Sequence, residues 1–252
     1  MGGLLSSAHD ATPSPLPHAP VRGHGGVTEH RFELVIFDCD GVLIDSEPIV
    51  NRVHAEALSR LGYPLTAEEC TRRFAGMPDR AMYDIIETER GVALPSDYDA
   101  ETKARIAAAY RTELRAIPEV EQALSGLSGR LMCVASSSLP DKMRLGLELV
   151  GLYERFAPHL FSASMVARGK PAPDLFLYAA ERMTIRPERC VVVEDSVAGV
   201  TAARAAAMTV LGFTGGGHCG PDDAARLLEA GARVVFERMA LLPTLVNEAE
   251  RS

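Results

Sequence analysis

The stretch Leu34-Val35-Ile36-Phe37-Asp38-Cys39-Asp40-Gly41-Val42-Leu43-Ile44-Asp45-Ser46-Glu47 joins a short apolar run to two aspartates, a glycine and the start of an amphipathic pattern. An uninterrupted apolar run of this length suits a strand buried on both faces, as inside a parallel sheet. The spacing after it is helical: Ile49, Val50, Val53, Ala57 and Leu61 share one face, and Gly62 stops the helix. Further apolar runs follow at 131–135, 191–193, 210–213 and 234–236, with helical patterns at 143–150, 173–183 and 196–208 between them. Ser196 opens the last of these helices as its N-cap. Strand and helix alternate, which predicts an α/β fold built on a doubly wound parallel sheet.

One interval breaks the alternation. Residues 64–117 hold no strand candidate and read as helix throughout, flanked by Pro64 and Pro118. Thr66-Ala67-Glu68-Glu69 is a capping-box pattern that opens a short helix ending near Gly76, and helical text continues over 79–90 and 97–115. The expected organisation is a tail over 1–30, an α/β core from 31–48 and 118–252, and a helical cap over 49–117. An insertion after the first strand stands above the carboxyl edge of the sheet, where such folds bind ligands, so the cap is placed as a lid. The tail is rich in Pro, Gly, His and Ser and lacks hydrophobic periodicity, which predicts disorder. Its histidines His9, His18, His24 and His30 match no compact metal-site spacing and are read as solvated.

Composition narrows the function classes. The chain has 252 residues, 47% hydrophobic and 24% charged, enough for a large core or a core with an insertion. A net charge of -8 without a Lys/Arg block argues against nucleic acid and anionic membranes as partners. No apolar run approaches the ~18 residues that cross a bilayer. Cys39, Cys70, Cys133, Cys190 and Cys219 are scattered and form no CxxC pair, which speaks against a disulfide framework or a thiolate zinc site. A cytoplasmic, reduced protein is expected. Only Lys103, Lys142 and Lys170 among the 26 basic residues are lysines, so a lysine inside a motif stands out.

Three strand ends carry chemistry. Asp38 and Asp40, two apart at the mouth of the first strand, are costly to hold together without a cation or a proton, although aspartate before glycine also serves simply as a turn. The 191–193 run ends in Glu194-Asp195-Ser196, a second acidic pair at the same sheet edge. Adjacent parallel strands lie ~4.8 Å apart, so carboxylates at two neighbouring ends reach one hard cation, and oxygen ligands favour Mg²⁺. Ser136-Ser137-Ser138 precedes a helix and is either an anion cradle or a plain serine-rich turn. Gly169-Lys170-Pro171-Ala172-Pro173-Asp174 clamps a lysine between prolines, where its charge offsets carboxylates and a phosphate.

Taken along the chain, the Asp38–Glu47 segment, the strand ending in Ser136, Gly169–Asp174 and Glu194-Asp195-Ser196 resemble the haloacid dehalogenase superfamily of phosphatases and mutases, over residues 31 to 245. The helical insertion resembles the cap of the subgroup containing β-phosphoglucomutase, phosphoglycolate phosphatase and 6-phosphogluconate phosphatase-like enzymes. The resemblance implies that Asp38 is the nucleophile forming an aspartyl-phosphate and that Asp40 is the general acid and then base. It implies Mg²⁺ held by Asp38, the backbone carbonyl of Asp40, Glu194 and Asp195, and phosphoryl oxygens held by Ser136, Ser137 and Lys170. Gly76 and Arg80 fall in the segment resembling the substrate-specificity loop; Arg80 either pairs with a distal anion of the substrate or is a surface arginine.

Single residues weigh the relatives. Dehalogenases need neither Asp40 nor the 194–195 pair, and phosphonatases use a cap lysine, for which only Lys103 is on offer. β-Phosphoglucomutase-like enzymes carry a histidine where this chain has Val50, which favours hydrolysis. Glu119 stands where relatives commonly have Gly, which leaves the hinge geometry open. The Gly215-Gly216-Gly217-His218-Cys219-Gly220 stretch is expected to be a flexible loop near the active edge. The resulting expectation is a Mg²⁺-dependent phosphatase of a small phosphorylated metabolite, a sugar or sugar-acid phosphate, acting as a monomer or weak homodimer. Phosphoryl transfer of the mutase type and a non-catalytic metabolite-binding protein on the same scaffold are the alternatives.

Overall fold

Leu34–Phe37 (β1) lies inside a six-stranded, all-parallel sheet. On one side it pairs with Leu131–Ser136 (β2), which pairs with Leu160–Ser162 (β3); on the other it pairs with Cys190–Glu194 (β4), followed by Thr209–Phe213 (β5) and Val234–Phe236 (β6). The computed structural model describes residues 30–74, 77 and 79–251, so the expectations for residues 1–29 and for Gly76 lie outside the described residues.

The strand β3 has no counterpart among the sequence expectations. Of its three residues only Leu160 and Phe161 are apolar, and with Ser162 at its end no apolar run registers, unlike the all-apolar β6 of the same length. The other five strands fall on the predicted runs, and the order β3-β2-β1-β4-β5-β6 reverses direction beside β1. In such a fold the ligand crevice lies at the carboxyl ends beside that reversal.

Alternation along β1 explains the two layers. Val35 and Phe37 join one core cluster with Leu124, Leu147, Phe156 and Val246, while Leu34 and Ile36 join another with Leu175, Phe176, Val200 and Leu227. The first layer is formed by Val120–Gly126 (α5), Pro140–Leu149 (α6), Tyr153–Phe156 (α7) and Leu242–Glu250 (α11). The second is formed by Asp174–Met183 (α8), Val197–Ala205 (α9) and Asp223–Glu229 (α10). The doubly wound reading therefore holds.

Between β1 and β2 the chain is helical: Glu47–Arg60 (α1), Ala67–Phe74 (α2), Asp79–Arg90 (α3) and Tyr98–Glu113 (α4). These helices close on a separate apolar cluster of Leu58, Leu65, Cys70, Phe74, Met82, Ile86 and Tyr98. The predicted capping box is reciprocal, with Glu69 N donating to Thr66 Oγ1 at 3.1 Å and Thr66 N donating to Glu69 Oε2 at 2.9 Å. No helix among the described residues is long and apolar enough to cross a membrane.

Candidate active site

Sheet register places the motifs. Phe37 lies level with Val134 of β2 and Val193 of β4, so Asp38, Glu194 and Ser136 emerge together at the carboxyl edge. Asp38 N donates to Val193 O at 3.0 Å, extending the ladder by one residue. The chain then turns on Gly41 at a φ of 82°. A Cβ on Gly41 would fall 1.9 Å from Asp195 Oδ2, so the glycine also leaves room for that carboxylate.

Asp38, Glu194 and Asp195 each present an oxygen within 4.8 Å of the others. Two cations answer this charge. Lys170 Nζ lies 2.6 Å from Asp38 Oδ1 and 2.5 Å from Glu194 Oε1, and sits 5.0 Å from the centre of the Phe176 ring. His218 Nε2 lies 3.2 Å from Asp195 Oδ2. Burial raises the Asp38 carboxyl well above its usual value, Lys170 partly offsetting it, with Glu194 and Asp195 adding to the rise. Burial works against the Lys170 charge, but the two carboxylates outweigh it and hold the ammonium above its usual range. Burial also opposes a charged His218, yet the hydrogen bond and charge of Asp195 push the imidazole up to about 11.

Asp40 faces elsewhere. Ser46 Oγ donates to its Oδ1 at 2.6 Å and Ser138 Oγ to its Oδ2 at 2.6 Å, and Lys142 Nζ stands 3.4 Å from Oδ1. Burial alone would raise this carboxyl, but Lys142 and the two hydroxyls hold it below the ordinary carboxylate value. Ser46 is the N-cap of α1 and makes no side-chain cap bond, its hydroxyl being committed to Asp40.

The serine segment separates on inspection. Ser136 is buried and its Oγ accepts from Ser138 N at 3.0 Å, while Ser137 is exposed. Ser162 of β3 donates to Ser138 O at 2.7 Å, so the strand with no sequence signal braces this loop. Ser196 caps α9 by accepting from Gly199 N at 3.0 Å, and its own N and Oγ donate to Glu194 Oε2 at 3.0 and 2.9 Å.

Arg80 is exposed on α3, where it bonds Asp84 and Glu87 of its own helix. Lys103 likewise pairs with Asp99 at 2.7 Å. The Gly-rich stretch is a loop over the active edge, as expected, where Gly217 N donates to Asp45 Oδ1 at 2.9 Å and His218 meets Asp195. Sequence reasoning placed Ser138 in the serine segment without its Asp40 contact and assigned no part to Ser46, Lys142 or His218. The scarcity of lysine was a signal for Lys142; for the others the contact exists only in three dimensions.

Three carboxylates at one sheet edge, hard oxygen donors with cations beside them, fit a Mg²⁺ ion. The profile of the haloacid dehalogenase-like hydrolases matches residues 32–207. A 6-phosphogluconate phosphatase of Escherichia coli is 35% identical over 76% of this chain and 86% of its own length. A haloacid dehalogenase-like protein of unknown function from Agrobacterium tumefaciens superposes with a TM-score of 0.80 at 40% identity, covering 86% of this chain and 99% of that one. A family hydrolase of Deinococcus radiodurans, solved with bound phosphate and sodium, gives a TM-score of 0.74 at 35% identity, covering 88% and 97%. The chain thus belongs to the haloacid dehalogenase-like hydrolase family.

Proposed function

We propose that the protein is a Mg²⁺-dependent phosphomonoester hydrolase acting on a small phosphorylated metabolite, a sugar or sugar-acid phosphate, through an aspartyl-phosphate on Asp38. The observation that carries this reading is the Asp38 carboxylate at the strand end, within 4.8 Å of Glu194 and Asp195 and bonded by a buried lysine. The phosphatase name of the Escherichia coli relative and the phosphate bound by the Deinococcus protein support it.

A carboxylate attacking a phosphate dianion is repelled unless positive charge sits between them. Lys170 supplies one such charge, and Mg²⁺ held by Asp38, Glu194, Asp195 and the Asp40 carbonyl would supply more by neutralising the phosphoryl oxygens. Ser136, Ser137 and backbone N–H groups of the Asp38–Asp40 turn orient the phosphoryl group. Asp40 gives the leaving alcohol its proton and then takes one from water. To do so it must first be freed from the Ser46, Ser138 and Lys142 contacts that keep it ionised. The five thiols are all free, which fits a reduced, cytoplasmic setting.

The test is phosphate release across a panel of phosphorylated metabolites, with Mg²⁺ and then with excess EDTA, alongside Asp38→Asn. Release that requires Mg²⁺ and disappears in the variant is expected. Activity surviving Asp38→Asn, or none on any ester, would overturn the reading.

A further inference from the structure

The run Gly215-Gly216-Gly217 is bare because other groups occupy the space its side chains would need. None of the three sits in the left-handed region. A Cβ on Gly215 would fall 2.1 Å from Glu237 O, one on Gly216 2.9 Å from Gly41 O, and one on Gly217 2.9 Å from Asp45 Oδ2. Asp45 belongs to the crossing between the core and the insertion. Its N donates to Arg115 O at 2.9 Å, and Ile117 N donates to Leu43 O at 2.9 Å, so the outgoing and returning segments are paired there. Gly217 N donates to Asp45 Oδ1 at 2.9 Å, which seats the next residue over the site with His218 Nε2 3.2 Å from Asp195 Oδ2. The imidazole is 10% exposed and the carboxylate 7%, so water has little room to replace this contact.

The three carboxylates of the candidate cation site are not held alike. Lys170 bonds both Asp38 and Glu194, and the N and Oγ of Ser196 add two further bonds to Glu194. The Asp195 carboxylate has His218 as its only hydrogen-bond or ion-pair partner among the described residues, and its Oδ1 has none. Cys219 Sγ lies 3.5 Å from the same ring nitrogen, but sulfur is a weak acceptor beside a carboxylate. A carboxylate without a fixed partner must be ordered when the cation arrives, and groups that order ligands in advance strengthen metal binding. We propose that His218 is a positioning residue for the metal: its bond to Oδ2 fixes the Asp195 carboxylate and leaves Oδ1 for the cation. Asp45 acts one step further back, since its bond to Gly217 holds the loop that carries His218. This inference rests on the Mg²⁺ reading above and extends it to two residues outside the ligand set.

The experiment measures metal affinity directly, without substrate. Mn²⁺, another hard cation, is titrated into the full chain and the free ion followed by electron paramagnetic resonance, with Mg²⁺ then added in competition. The proteins are the wild type, His218→Ala, His218→Gln, Asp45→Ala and the double variant His218→Ala/Asp45→Ala, each checked for folding by circular dichroism. His218→Ala is expected to weaken binding of both metals by about tenfold or more. His218→Gln, whose amide can still donate, keeps more of the affinity. Asp45→Ala weakens binding in the same direction, and the double variant loses no more than His218→Ala alone, because Asp45 works through His218. Wild-type affinity in His218→Ala, a glutamine no better than alanine, or losses that add in full in the double variant would overturn this inference and leave the metal reading standing. A wild type that takes up neither Mn²⁺ nor Mg²⁺ removes the metal reading, and this inference with it.

Discussion

A Cβ on Gly199 would fall 1.8 Å from Glu194 Oε1. The first turn of α9 therefore stays bare so that a fully buried carboxylate can lie against it and face Lys170. Gly199→Ala is expected to push Glu194 off Lys170, and overpacking of this kind costs about 1 to 3 kcal/mol. Urea unfolding measures that loss, and a Mg²⁺ titration of phosphate release is expected to show weaker metal dependence. Wild-type stability and wild-type Mg²⁺ response together would show that Glu194 has another place to go.

Lys170→Met tests the cation from the other side. It leaves Asp38 and Glu194 buried without their partner, and breaking a buried pair on one side costs about 3 to 5 kcal/mol. The lysine side chain is only 4% exposed, so solvent does little to screen the loss. Adding Asp38→Asn to the variant should recover part of the stability while activity stays absent. Chemical denaturation of the single and double variants decides this, and a double variant less stable than Lys170→Met would contradict it.

His54 sets a pH response in the insertion. It is 2% exposed, tilted against Tyr83 and Tyr98, with Nδ1 3.4 Å from Tyr98 Oη. Burial lowers its pKa, the Lys142 charge adding to this and Asp79 and Asp99 opposing it. Below the unfolded value of about 6.5 the unfolded chain takes up a proton that the folded one resists, so stability is full above that pH and falls as pH drops below it. The slope from this group is at most about 1.4 kcal/mol per pH unit. His54→Gln should flatten the fall between pH 6.5 and 5; denaturant midpoints with an unchanged slope would rule the histidine out as its source.

Glu119 occupies a left-handed backbone at a φ of 65°, and its carboxylate holds Arg238 at 2.7 Å. That conformation favours glycine at this junction between the insertion and α5, since a side chain adds strain there. An exposed ion pair compensates weakly. Glu119→Gly is expected to raise the melting temperature by about 1 to 4 °C. A drop on calorimetry would mean the Arg238 contact outweighs the strain.

Legibility in the sequence followed the range of each interaction. Five strands, the helical insertion and the Thr66–Glu69 box could be read because period and capping are local. Asp38, Glu194, Asp195 and Lys170 could be read because each follows or precedes a regular element at a fixed offset, and parallel register then brings them together. His218 could not, since it reaches Asp195 through a glycine-rich loop held by tertiary bonds to Asp45 and Phe236 that no local pattern reveals. Nor could the partners of Asp40, whose three donors come from α1, the β2–α6 loop and α6. β3 failed for a plainer reason: two apolar residues followed by a serine make no apolar run.

Because every strand runs the same way, the two ends of the described chain meet at the sheet edge opposite the carboxylates. Phe32 N donates to Glu250 Oε1 at 3.2 Å, and Arg130 ties the same carboxylate to β2's start at 2.9 Å. The first and last described residues, 30 and 251, therefore both lie at the rear of the molecule. A partner fused directly at either of these two residues would leave the carboxylate edge of the sheet facing outward.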